Sequence, residues 1–281
     1  LALPRRPAAL EDCSAARGEQ NAVGTQNRID GAPGRPGAPR FGPRGKVAAL
    51  AAVCVLLLAG CGIANPWPSI APGPNGHKTV LLVGDSLLGQ AAQELPRRLG
   101  IYGLDAQVID EHRNTMGLLD PVPGDGRSVA TWFEATITAH PADIVVFEFV
   151  GACSCAHSPF YGTNEFYTQW FNVAADLVQR AKNHGARVIW VESPPVRPDP
   201  TNNIAAVAHG LAFRDTLMQS RSGTGTAHWW DAFTDTAGLY QDLLVYDGAP
   251  HKVRFDDGVH FTEEGAGRAA IFLIAGLRPL L

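Results

Sequence analysis

From Thr79 to the C-terminus the apolar residues fall into two alternating patterns. Short apolar runs rich in β-branched residues occur at Thr79–Gly84 (TVLLVG), Ala106–Asp110, Ala142–Gly151 (ADIVVFEFVG), Arg187–Val191 (RVIWV) and His228–Ala232, and each reads as a strand. Between them lie stretches with helical spacing. Leu87–Leu99 is one, and Pro96 is expected to kink it or end it early, because proline lacks an N–H and crowds the preceding turn. Asn164–Asn183 is another, with Phe166, Trp170, Val173, Leu177 and Ala181 along one face. Ile204–Met218 and a last stretch from Glu263 to about Leu277 complete the set. Thr262 suits the N-cap of that last helix, with Glu263 and Glu264 near its positive end. Wholly apolar strands alternating with helices predict a parallel sheet buried on both faces. The expected fold class is α/β, a three-layer α/β/α sandwich around a mainly parallel five-stranded sheet. In such sheets ligands bind beyond the carboxyl ends of the strands, where Gly84-Asp85-Ser86-Leu87 falls.

The pattern is absent before residue 78. Residues 1–46 are rich in Pro, Gly, Ala and Arg without a period of 3.6 or 2. Such a stretch buries too little apolar surface to offset the entropy of ordering, so it is expected to stay unordered or to precede the true start of the protein. Arg40, Arg44 and Lys46 then precede the 14-residue apolar run Val47–Gly60 and Cys61. A basic flank before a run too short to span a bilayer has the form of an export signal. Leu58-Ala59-Gly60-Cys61 resembles the bacterial lipobox, which implies cleavage before Cys61 and acylation of its sulfur; two acyl chains give durable anchoring. A general secretory signal cut nearby, or a short buried helix, is the alternative. Ile63–His77, with four Pro and two Gly, suits a tether. The expected organisation is an extension at 1–46, a signal and lipobox at 47–61, a tether at 62–77 and a folded domain at 78–281. The expected place is the extracytoplasmic face of a bacterial cell membrane, held by a lipid anchor, or else secretion.

Composition and charge narrow the classes. The 281 residues are 46% apolar and 18% charged with five Cys, which excludes a disulfide-stapled miniature and a wholly disordered chain. The net charge of −4 conceals an asymmetry. The first sixty residues hold eight Lys and Arg against four Asp and Glu, leaving 15 basic and 23 acidic groups beyond them. A net −8 on the domain argues against a nucleic-acid-binding face. A monomer is expected.

Ser86 falls on the turn between the first strand and its helix, where unpaired N–H groups and the helix dipole favour developing negative charge. A serine hydroxyl needs a base, and the base needs a partner that holds one tautomer. Asp257-Gly258-Val259-His260 offers both on a loop before the last helix. An Asp three positions ahead of a His can turn back to its Nδ1 and leave Nε2 for Ser86. Together GDSL at 84–87 and DGVHFT at 257–262 resemble the SGNH, or GDSL-type, hydrolases, mostly esterases, lipases and carbohydrate deacetylases. The likeness covers about Lys78 to Leu281. It implies the flavodoxin-like SGNH fold, Ser86 as nucleophile, His260 as general base and then acid, Asp257 as its orienting partner, and no cofactor.

The resemblance also implies an oxyanion hole built from the Ser86 N–H, the N–H of a Gly after the second strand and an Asn side chain after the third. Gly117, in Arg113–Gly117, takes the second position, although a Gly needed only for its turn would look the same. The third position departs from the family. The strand runs into Gly151-Ala152-Cys153-Ser154-Cys155, with Cys153 where the Asn is expected. Losing one oxyanion donor lowers turnover on the order of a hundredfold to a thousandfold, unless Asn114 or another loop donor substitutes; Gly151 is a candidate by position only. Cys153 and Cys155 are open to a disulfide or to two thiols beside the site. With His157 they also admit a zinc reading that lacks a fourth ligand, and no metal is expected. His112 and Arg113 either line the pocket or belong to a solvated loop. Phe160, Tyr161, Trp229 and Trp230 either wall the pocket or pack the core. Asp85 is expected to bond backbone N–H groups of its turn. The expected activity is hydrolysis of O-acyl esters of envelope carbohydrate or lipid through a Ser86 acyl-enzyme. Acyl transfer by the same intermediate, and a non-catalytic envelope binding protein that keeps the fold, are the alternatives.

Overall fold

The computed structural model describes residues 76–150, 160–200 and 203–281. Five strands, β1 (Lys78–Gly84), β2 (Ala106–Asp110), β3 (Ile144–Glu148), β4 (Arg187–Val191) and β5 (Gly225–Ala227), form one sheet in the order β2-β1-β3-β4-β5. All four pairings are parallel. The helices are α1 (Ser86–Ile101), α2 (Val129–Ala139), α3 (Asn164–Asn183), α4 (Ile204–Ser222), the single turn α5 (Trp229–Ala232) and α6 (Glu263–Leu277). A separate antiparallel hairpin, β6 (Leu243–Tyr246) and β7 (Ala249–Lys252), precedes the last helix. Among the described residues no helix is long and apolar enough to cross a membrane. Cys61, Gly151, Cys153, Cys155 and His157 lie outside the described residues.

The alternation of side chains along each strand makes the three layers. Val80 and Leu82 of β1, Ile144 and Val146 of β3, and Ile189 and Val191 of β4 pack toward α1 and α6. Their neighbours Leu81, Val83, Val145, Phe147, Val188 and Trp190 pack the other way, toward α2, α3 and α4. The second layer is aromatic: Trp190 stands edge-on to Trp170 of α3 at 5.5 Å, and Phe147 edge-on to Phe133 of α2 at 5.0 Å. Trp190 also donates its indole N–H to the buried Asp215 of α4 at 2.6 Å, and the same carboxylate takes the Ser193 N–H at 2.8 Å. Burial pushes that carboxyl up to about 7 against the pull of these donors.

Several elements differ from their sequence reading. Pro96 does not end α1, which runs on to Ile101. The proline sits on the exposed side, while buried Leu95 and Leu99 on either side of it hold the helix to the core, and that packing outweighs the proline's cost. The third strand stops at Glu148 rather than Gly151, and α4 extends past Met218 to Ser222. The fifth strand is Gly225–Ala227, and the expected strand His228–Ala232 holds a helical turn instead. Trp229 and Ala232, three apart, are both buried, and the Trp229 indole donates to the Ala269 carbonyl of α6 at 3.1 Å. A strand would send those two to opposite faces only if offset by an odd number, and here the helical spacing is what brings both inward. Helix α2 and the hairpin went unread.

Leu273 of α6 is fully buried among the side chains of α1 and the sheet. Leu273→Ala is expected to lower unfolding free energy by about 2–5 kcal/mol in urea denaturation.

Candidate active site

β1 ends in the middle of the sheet, beside β2 on one edge and β3 on the other. Asp85 follows as the N-cap of α1, with its Oδ1 accepting the Leu87 N–H at 2.9 Å and its Oδ2 the Val150 N–H at 3.1 Å. The second bond ties the Ser86 turn to the end of β3. Ser86 is thereby the first residue of the helix, where the leading N–H groups have no intrahelical acceptor.

Behind this turn lies Glu148, in register with Gly84 across β1 and β3 and fully buried. Its carboxyl group lies beside the Asp85 side chain. Burial first, then the charge of Asp85, raises this carboxyl well above its ordinary 4.5. Burial also raises Asp85, offset in part by hydrogen bonds from Glu148, Leu87 and Val150.

The imidazole beside Ser86 arrives from the far end of the chain. His260 Nε2 lies 3.0 Å from Ser86 Oγ, and His260 Nδ1 lies 2.7 Å from Asp257 Oδ2. The other Asp257 oxygen accepts the N–H groups of Val259 at 2.8 Å and His260 at 3.0 Å. Partial burial works to raise the Asp257 carboxyl, but these donors and the imidazole hold it below its ordinary value. The carboxylate can only accept, so Nδ1 carries the proton and Nε2 faces Ser86 as the acceptor. The turn that brings Asp257 back needs Gly258 at φ 72°, where an added Cβ would sit 2.4 Å from Arg197 Cβ.

Two side chains seat this loop. The Gln90 amide, one turn along α1 from Ser86, donates to the Phe261 carbonyl at 3.0 Å and accepts the Phe261 N–H at 2.9 Å. It clamps the backbone next to His260 as a neighbouring strand would. Arg254 is buried beside the stacked rings of Phe233 and Phe261, 4.5 and 4.3 Å from their centroids. Its guanidinium donates to the carbonyls of Val259 and, at 2.7 Å, of Pro195.

Ser86 and His260 open onto a cavity of about 430 Å³. It runs along the Ser86, Gly89, Gln90 and Gln93 face of α1 to His112, Asn114 and Thr115 after β2. Asn114 faces it, whereas Gly117 is buried in the same loop, off the cavity wall. Thr115 holds φ 64°, a strained setting for a β-branched residue, at the cavity's edge. Of the other residues singled out in the sequence, His112 lines the cavity. Arg113 pairs with Glu111 at 2.8 Å and covers Trp132. Tyr161 and Trp229 are core residues, Phe160 packs on Phe166, and Trp230 stands edge-on to His209. Sequence reasoning passed over Gln90, Gln93, Thr115, Glu148 and Arg254; helical spacing from Ser86 was the available signal for Gln90 and Gln93.

A serine turn after the first strand, a His and Asp ahead of the last helix and the 2-1-3-4-5 sheet match the α/β/α fold of the SGNH hydrolases. Three solved structures are similar. A variant of an acetyl xylan esterase from Geobacillus stearothermophilus has a TM-score of 0.55 at 12% identity, covering 75% of this chain and 97% of its own. A GDSL-like lipase from Bacteroides thetaiotaomicron has a TM-score of 0.54 at 15% identity, over 75% and 93%. An alpha/beta hydrolase enzyme from the metagenome of Lake Arreo, Spain, has a TM-score of 0.54 at 12% identity, over 76% and 99%. No curated protein matches the chain. By its match over residues 79–275, the chain belongs to the family described as "Protein of unknown function (DUF459)".

Two measurements check this geometry. Gln90→Leu removes the acceptor of the Phe261 N–H, whose amide hydrogen is expected to exchange about tenfold faster or more. Glu148 holds a proton in the folded state at pH values where the unfolded chain has released it, so wild-type stability falls as pH rises above 4.5 toward the raised folded value. Glu148→Gln does not titrate. The variant is expected to gain stability relative to wild type as pH rises through that window, with the difference closing near pH 4.5 in denaturation curves.

Proposed function

We propose that this protein is an exported carboxylic-ester hydrolase acting through an acyl-enzyme on Ser86. The observation that carries the reading is the hydrogen-bonded chain Ser86 Oγ, His260 and Asp257, at 3.0 and 2.7 Å, opening onto a cavity. Ser86 Oγ attacks the ester carbonyl as His260 Nε2 takes its proton. The C–O bond to the alcohol breaks, and His260 returns that proton to the departing oxygen. Water then attacks the acyl-enzyme with His260 again as base, releasing the acid and restoring Ser86. Asp257 holds the ring and stabilises the imidazolium. The Ser86 N–H, at the positive end of α1, supplies one oxyanion donor. The Asn114 side chain, on the cavity wall, is the replacement for the family's Asn.

The wall favours an acylated carbohydrate over a lipid. Every side chain lining the cavity among the described residues is polar, contributed by Ser86, Gln90, Gln93, His112, Asn114, Thr115 and His260. A fatty acyl chain needs apolar walls. The substrate class is therefore a short-chain ester of a hydroxyl-rich alcohol. The fold shared with an acetyl xylan esterase is in keeping with this. The basic flank, apolar run and Cys61 support export with a lipid anchor, which places the substrate in the cell envelope.

The test is hydrolysis of p-nitrophenyl acetate and p-nitrophenyl palmitate. The acetate is expected to be the better substrate, and Ser86→Ala or His260→Ala to lower kcat by about 10³-fold or more. Equal rates for wild type and Ser86→Ala would sink the reading. Product analysis with an added sugar acceptor separates hydrolysis from acyl transfer.

A further inference from the structure

The cavity holds a second imidazole–carboxylate pair. His112 Nδ1 lies 2.8 Å from Asp110 Oδ1, which also accepts the His112 N–H at 3.1 Å. Asp110 closes β2 and His112 lines the cavity. A carboxylate at Nδ1 places the ring proton there and leaves Nε2 as an acceptor in the neutral ring. That Nε2 has no hydrogen-bond partner among the described residues, and Ser86 Oγ is bonded to His260, not to His112. The pair therefore has the preorganisation of the Asp257–His260 pair without its access to the nucleophile.

The chain makes room for this ring. A Cβ on Gly89, three residues after Ser86, would lie 2.4 Å from His112 Nε2 and 2.3 Å from its Cδ2. Only glycine lets the imidazole lie against the first turn of α1, within the cavity that Ser86 shares. Both ends of the Gln90 amide are engaged with Phe261, so Gln90 has little left to offer a ligand. His112 Nε2 and the side-chain amides of Gln93 and Asn114 are the wall groups whose hydrogen bonds are not already used within the described residues.

We propose that the Asp110–His112 pair is the alcohol subsite, in which His112 Nε2 accepts a hydrogen bond from a carbohydrate hydroxyl neighbouring the ester that Ser86 attacks. This rests on the ester-hydrolase reading above. It assigns the two pairs different tasks: Asp257–His260 moves the proton, and Asp110–His112 recognises the alcohol. The acyl group needs no such partner, whereas a singly acylated sugar presents free hydroxyls near its ester. An alcohol lacking that hydroxyl forgoes this hydrogen bond and is a poorer substrate.

The experiment holds the acyl group constant and varies the alcohol. p-Nitrophenyl acetate has no hydroxyl on its leaving group; mono-O-acetylated xylotriose and mono-O-acetylated methyl glucoside do. In His112→Ala the ratio of kcat/KM for the acetylated sugar to that for p-nitrophenyl acetate is expected to fall about tenfold to a hundredfold, chiefly through KM. His112→Gln, which keeps an acceptor, is expected to recover part of it. A parallel loss on all esters, or no change of the ratio with either sugar, overturns the proposal. A second arm needs no turnover. Calorimetric titration of Ser86→Ala protein with the same acetylated sugars is expected to show binding that His112→Ala in that background weakens about tenfold or more. Binding that is undetectable, or equal in both proteins, overturns the subsite. Failure of wild type to hydrolyse any ester while this arm succeeds sinks the hydrolase reading and leaves the subsite standing.

Discussion

The site depends on one buried carboxylate. Asp85 holds the Leu87 N–H with one oxygen and the Val150 N–H with the other, which joins the turn after β1 to the end of β3. Each of those N–H groups would otherwise be buried at the end of an element, where an unmade hydrogen bond costs about 1–3 kcal/mol. With both satisfied, the turn has a single conformation and Ser86 begins α1 at the carboxyl edge of the sheet. The same burial makes ionisation unfavourable in the interior behind the turn, and Glu148 answers by keeping its proton. One charge is tolerated there because it is bonded; a second is suppressed.

The other half of the site has to be carried to this point across 174 residues. Sheet and helix packing bring α6 alongside α1, but that sets the approach only to within a side chain. The remaining precision comes from polar contacts with backbone: the Gln90 clamp on Phe261 and the Arg254 guanidinium on Val259 and Pro195. Hydrogen bonds to backbone act on position directly, since they fix where the chain runs rather than which rotamer a side chain adopts. Arg254 lies against a stacked pair of aromatic rings, which supply attraction to a buried cation. Ser86, His260 and Asp257 are thus held from outside by residues that do not belong to their hydrogen-bonded chain.

How much was legible follows from the range over which each feature is determined. β2, α3, β4 and α6 have the bounds read from sequence, because an apolar run or an amphipathic face is a local property of consecutive residues. α2 was equally local and was passed over: Ser128 caps it, and Val129, Trp132, Phe133 and Ile137 are buried at helical spacing. The hairpin carried its own signal in Asp247-Gly248, whose φ values of 51° and 85° make the tight turn that this dipeptide favours. Pro96 and Trp229 misled for the opposite reason. Local rules end the helix at the first and extend a strand through the second, and tertiary packing overrides both.

By itself the sequence determined the α/β class, the parallel sheet and the three residues Ser86, Asp257 and His260, because periodicity and short motifs are written in neighbouring positions. Only the tertiary structure decided what surrounds them. Gln90 meets Phe261 across 171 residues, Arg254 reaches Pro195 across 59, and Glu148 is buried against a turn made by another strand. Nothing near any of these in the chain announces the contact. His112 stands between the two cases. Its pairing with Asp110 is local, but its place on the cavity wall exists because Gly89, on a helix from the other side of a parallel crossover, has no side chain to keep it out. A cavity is the space left between elements, and the energetics that shape it act between residues far apart in the chain and close in the fold.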